Sequence, residues 1–92
     1  MIDSELLKDI IGTWVYICFV DHAMHDKTLC ICEALGELVE VTKEHLVLRT
    51  WHTINAPDND EFISLILSAV KKIYVLKIDY VEFEDGSEKA GS

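Results

Sequence analysis

The sequence predicts a mainly β domain: one N-terminal α-helix, then a five-stranded, strongly bent antiparallel sheet forming a small barrel. Three observations predict it. Runs rich in β-branched and aromatic residues follow one another at close spacing, namely TWVYICFVD, TLCICEA, ELVEV and HLVLRTWHTI, a composition that suits a pleated, half-buried surface. Turn formers cluster between them, most plainly in NAPDNDE at 55–61, which holds the one proline of the chain. Helical spacing of apolar residues occupies the stretch before Gly12.

The helix is expected over residues 4–11. Asp3 or Ser4 can cap it, because both side chains accept from the free N–H groups of a first turn. Leu6, Leu7, Ile10 and Ile11 form its apolar stripe, and Gly12 can end it in the left-handed conformation. A strand follows over 13–21, then a polar loop, DHAMHDK, at 21–27. TLCICEA resumes the strand pattern. Leu35-Gly36 interrupts it, and a glycine inside a strand often marks a bulge or bend. ELVEV continues, Thr42-Lys43-Glu44 makes a tight turn, and HLVLRTWHTI is the next strand. After the 55–61 loop come two apolar runs, 63–70 and 73–76, with Lys71-Lys72 between them as the expected turn. The tail DYVEFEDGSEKAGS extends a strand briefly and then frays. Residues 1–78 therefore read as one domain and 79–92 as an acidic C-terminal tail, exposed and weakly ordered.

A chain of 92 residues is one domain with a small core, a size at which assembly often supplies missing stability. Half its residues are hydrophobic, so part of the apolar surface is expected to be buried between subunits. The formal charge is −9, with five acids against one lysine in the tail. That balance argues against wide, non-specific phosphate binding, which needs a dense basic surface, and leaves room for a small basic pocket. Three cysteines, an odd number, fit a reducing compartment better than a disulfide scaffold. MIDSELLKD lacks the basic and apolar regions of a signal peptide. No apolar run approaches the roughly 20 residues that span a bilayer. A cytoplasmic protein with no membrane association is expected.

The stretch GELVEVTKEHLVLR (36–49) resembles the first motif of the Sm-like (LSm) family, nearest to its bacterial Hfq branch. Gly36 takes the glycine position, and Leu38, Val41, Leu46 and Leu48 the apolar ones. Arg49 takes a basic position after the strand. LSAVKKIY (67–74) resembles the second motif at Ala69, Val70 and Ile73. The resemblance covers most of residues 4–76. It implies a small Sm-like, or SH3-like, barrel in which the fourth strand turns abruptly into the fifth and each pairs with a neighbouring subunit. A cyclic homo-oligomeric ring is implied, with Ile63, Leu65, Leu67, Ile73 and Val75 on the interface strands. Ring closure would also cover apolar edges that invite aggregation when bare.

The resemblance further implies single-stranded RNA as a partner, held near Lys43, Glu44, His45, Arg49, Leu67 and Ser68. The chain departs from the family at these very positions. The amide and aromatic ring that hold uridine in the family are Lys43 and Glu44 here, and a glutamate cannot stack on a base as an aromatic platform does. The acid of that turn is Thr42, and the Lys-His pair of the second motif is Leu67-Ser68. The RNA site expected is therefore a diverged one, strengthened by repetition around the ring. The alternative is a protein-interaction scaffold ring that has lost RNA recognition.

Other constellations have plainer readings. Cys30-x-Cys32 with His22 and His25 offers zinc-ligating groups, but both thiols share one strand face, and free cysteine is a common core residue. Core packing is expected and no metal. Trp14 is expected to pack on the helix or on a neighbour, and Trp51 to lie on the more exposed surface near a loop. Lys71-Lys72 would give a basic zone once per subunit. No nucleophile–base pair, phosphate-cradling glycine loop or paired acids is evident, so neither catalysis nor a cofactor is expected.

Overall fold

The computed structural model describes residues 3–22, 29–77, 79 and 81–82. A short helix, α1 (Ser4–Lys8), precedes five strands: β1 (Trp14–His22), β2 (Leu29–Val41), β3 (His45–Trp51), β4 (Glu61–Ile66) and β5 (Val70–Val75). They form one antiparallel sheet in the order β4-β3-β2-β1-β5. Among the described residues the sheet does not close into the expected barrel, because β4 and β5 are its two edges and do not pair with each other.

Local chemistry sets the start of the chain. Asp3 is the helix cap, with extended backbone and a side chain that accepts from the Glu5 N–H at 2.9 Å. The helix is shorter than the apolar stripe suggests. Beyond Lys8 the chain continues in turns, and Thr13 closes them by donating both its N–H (3.1 Å) and its Oγ1 hydroxyl (2.7 Å) to the Ile10 carbonyl. Gly12 has a φ of 96°, which L side chains rarely adopt. Its N–H donates to the Leu38 carbonyl at 2.8 Å, and the Leu38 N–H donates to Thr13 at 2.9 Å. The entry to β1 is thereby tied to the C-terminal part of β2. Of the helix stripe only Leu7 is buried; Ile10 packs beside it, while Leu6 and Ile11 face outward.

Alternation along the strands builds the core on one face of the bent sheet. Val15 and Ile17 of β1, Leu38 of β2, and Leu46 and Leu48 of β3 are fully buried there. Leu65, Leu67 and Val70 extend the cluster across the edge strands and the turn between them. Burying each leucine contributes about 1.5–3 kcal/mol. Among the described residues no helix is long and apolar enough to cross a membrane.

Three local expectations are corrected. β2 runs unbroken through Leu35 and Gly36, in register with Tyr16 and Val15 of β1. Gly36 is therefore no bulge. Its role is close approach, because a Cβ there would lie 2.8 Å from the Arg49 carbonyl oxygen. The ladder irregularity in this region falls later, between Leu38 and Glu40 in the pairing with β3. The turn between the last two strands is not Lys71-Lys72. It is a 3-10 turn over Leu67–Ala69, and both lysines belong to β5. The predicted 21–27 loop is entered late, since Asp21 and His22 remain paired in β1; residues 23–28 lie outside the described part. In the tail, 79, 81 and 82 lie outside the strands, and the remainder of 79–92 is outside the described part.

Candidate functional site

Four of the six residues expected at an RNA site line one cleft of about 310 Å³: Lys43, Glu44, Leu67 and Ser68, with Ile66 beside them. Two turns build it. Thr42 shapes the β2–β3 turn: its Oγ1 accepts from the N–H groups of Glu44 (3.2 Å) and His45 (3.0 Å), and its own N–H donates to the His45 carbonyl at 2.8 Å. A hydroxyl thus fills the capping role that suits a short polar side chain in a turn. The β4–β5 turn packs against it, with the Leu67 N–H donating to the Glu44 carbonyl at 2.8 Å. That bond holds the two turns together and leaves the side chains of Lys43, Glu44 and Ser68 exposed.

Leu67 is different. It is 1% exposed and belongs to the core, so it supplies wall and support rather than a polar contact. Ile66 is 64% exposed and gives the cleft an apolar rim. Strand alternation points to Ile66, since it is out of phase with buried Leu65, although residue-by-residue resemblance passes over it.

His45 and Arg49 are not brought to the cleft. His45 turns toward Thr42, with Nδ1 3.1 Å from the hydroxyl, and its Nε2 lies 3.9 Å from Glu40 Oε2. Arg49 is held between two carboxylates. Its Nη2 donates to Glu37 Oε1, and its Nη1 lies 3.5 Å from Asp60 Oδ2. Asp60 is the centre of this second cluster. Its side chain is 5% exposed, Oδ1 accepts from the Thr53 N–H at 2.9 Å, and Oδ2 lies 2.8 Å from His52 Nδ1. Burial pushes the Asp60 carboxyl up, but the Thr53 N–H, His52 and Arg49 together outweigh it. The carboxyl ends below its ordinary value of 3.8. The cluster fastens the long β3–β4 loop to the sheet. No motif spacing announces it, because its members come from two strands and a loop.

The residues expected on ring-interface strands divide by depth. Leu65 and Leu67 are core, Ile63 and Ile73 pack partly against it, and Val75 is 52% exposed. Cys30 and Cys32 are half-buried on the face of β2 that meets Asp21 and Phe19 of β1. The side chain of His22 and all of His25 lie outside the described part. Among the described residues no group of three or more His, Cys, Asp or Glu is arranged to hold a metal ion. Trp14 is half-exposed, while Trp51 is well exposed beside the β3–β4 loop, with its Nε1 donating to Thr53 Oγ1 at 3.2 Å.

The fold and site define a small antiparallel β protein with a cleft between two turns at one end of its sheet. Compared with known families, characterised proteins and solved structures, the chain has no significant match.

Proposed function

We propose that the chain is an Sm-like protein that assembles into a closed homo-oligomeric ring and binds single-stranded RNA without catalysis. One observation carries the reading. Lys43-Glu44 and Leu67-Ser68 lie far apart in sequence, are the positions that the family resemblance marks for RNA, and line a single cleft. The sheet order supports the ring, since among the described residues β4 and β5 are the two edges of the sheet, which a neighbouring copy can pair with head to tail. Exposed Phe62 and Ile66 on β4 would be shielded by such pairing. In this ring each cleft supplies one lysine, and repetition converts weak contacts into avidity.

Titration of the protein with a short U-rich RNA at low and high salt tests the reading. Binding that weakens steeply with salt is the expected result; no binding at low salt would refute it. A second reading, a protein-interaction scaffold ring, is favoured by the apolar wall of Ile66 and Leu67 and by the engagement of Arg49 with two carboxylates. It predicts a ring indifferent to RNA.

A further inference from the structure

The outer face of the sheet has a charge and shape pattern that matches itself. Backbone pairing sets residues of β5, β1 and β2 in rows: Tyr74, Tyr16 and Leu35 in one, and Lys72, Cys18 and Glu33 in the next. Directly paired residues project to the same face, here the one opposite buried Val15 and Ile17. Much of this face is apolar. The Tyr16 and Tyr74 rings pack with centroids 5.7 Å apart, Leu35 is 51% exposed and Ile31 is 82% exposed. Two hollows of about 370 and 450 Å³ adjoin along it and share Cys18 and Tyr74. Lys72 and Glu33 flank Cys18 on opposite sides, and neither enters an ion pair among the described residues.

We propose that this face docks a second copy of the same chain, face to face, about a two-fold axis running along β1. Such a rotation keeps each row at its level and exchanges the β5 side with the β2 side. Lys72 of one copy then meets Glu33 of the second copy, and the reverse. Tyr74 meets Leu35, while Tyr16 and Cys18 lie near the axis. A row that reads basic, neutral, acidic is complementary to itself under this operation, which is the requirement for an isologous contact. Aligned sheets pack about 10 Å apart, a separation that side chains of this size fill. The contact uses the face of β5 and not its free backbone edge, so it depends on neither the ring nor RNA binding.

The test is the mass of the full chain against concentration, by sedimentation equilibrium at an ionic strength of ~0.15 M, where the repulsion between two acidic chains is screened beyond about 8 Å. The wild type is expected to associate. Lys72→Glu and Glu33→Lys each set like charges opposite one another and weaken association about tenfold. The double variant Lys72→Glu/Glu33→Lys restores opposite charges and with them the wild-type association. Single variants that associate like the wild type, or a double variant as weak as the singles, would overturn the proposal. So would a wild type that stays a single species at every concentration. As a positional check, a short thiol–thiol cross-linker should join two chains through Cys18 when Cys30 and Cys32 are replaced by serine. Failure to cross-link an associated sample would overturn the axis along β1. A ring without RNA binding leaves every one of these outcomes readable.

Discussion

The backbone of β2 at Gly36 passes so close to Arg49 that an added Cβ would sit 2.8 Å from the Arg49 carbonyl oxygen and 3.2 Å from the Leu48 Cβ. The first contact is with backbone, which cannot swing aside as a flexible side chain would. Gly36→Ala is therefore expected to destabilise the fold by about 1–3 kcal/mol, the usual range for overpacking. A urea titration reads this as a lower midpoint at unchanged slope. An unchanged midpoint would show that β2 and β3 have room to separate.

Leu67 and Ser68 are neighbours with opposite tasks. Leu67→Ala removes a side chain that is 1% exposed and should cost about 2–5 kcal/mol. Ser68→Ala changes an exposed group and should stay within about 0.5 kcal/mol of the wild type. Equal losses in thermal or urea unfolding would contradict the assignment of Leu67 to the core.

Asp60 makes stability depend on acid. Its folded carboxyl lies below the ordinary value of 3.8, so its contribution is present above that value and is lost as pH falls through the lower, folded one. Asp60→Asn should be less stable than the wild type near neutral pH, and the gap should close in strong acid. Urea midpoints measured across that range check it. A gap that persists at the lowest pH would mean that the loop is held by packing instead of charge.

Much of the fold is legible in the sequence where local chemistry decides. A cap at Asp3 or Ser4, the break at Gly12, a loop around the proline and the strand runs follow from residue type and spacing, although Glu61, read as loop, opens β4. The misses have physical reasons. A strand glycine signals either a bulge or a close approach, and only the position of Arg49 decides between them at Gly36. Lys71-Lys72 looks like a turn because it interrupts apolar runs, yet the chain turns earlier, through Leu67–Ala69. The lysines suit an edge strand, where their stems lie on the sheet and their charges reach water. Of the candidate site, the pairing of Lys43-Glu44 with Leu67-Ser68 is legible through resemblance. The Arg49–Asp60–His52 cluster is not, since it exists only once the β3–β4 loop folds back.

Lys43 is the one cation among the described residues that line the cleft. Lys43→Ala should weaken RNA binding and lower its salt dependence without changing the assembly mass, because neutralised phosphates set the salt slope. Affinity and slope equal to the wild type would move the RNA contact away from this cleft.

Native mass spectrometry of the full chain, with and without a short U-rich RNA, reads the ring and its RNA in one experiment. The expected smallest species is a multiple of the 10.5 kDa chain that persists on dilution and gains RNA as a whole ring. A bare 10.5 kDa species would contradict the ring, and a ring that takes up no RNA would contradict the proposed function while leaving the fold intact.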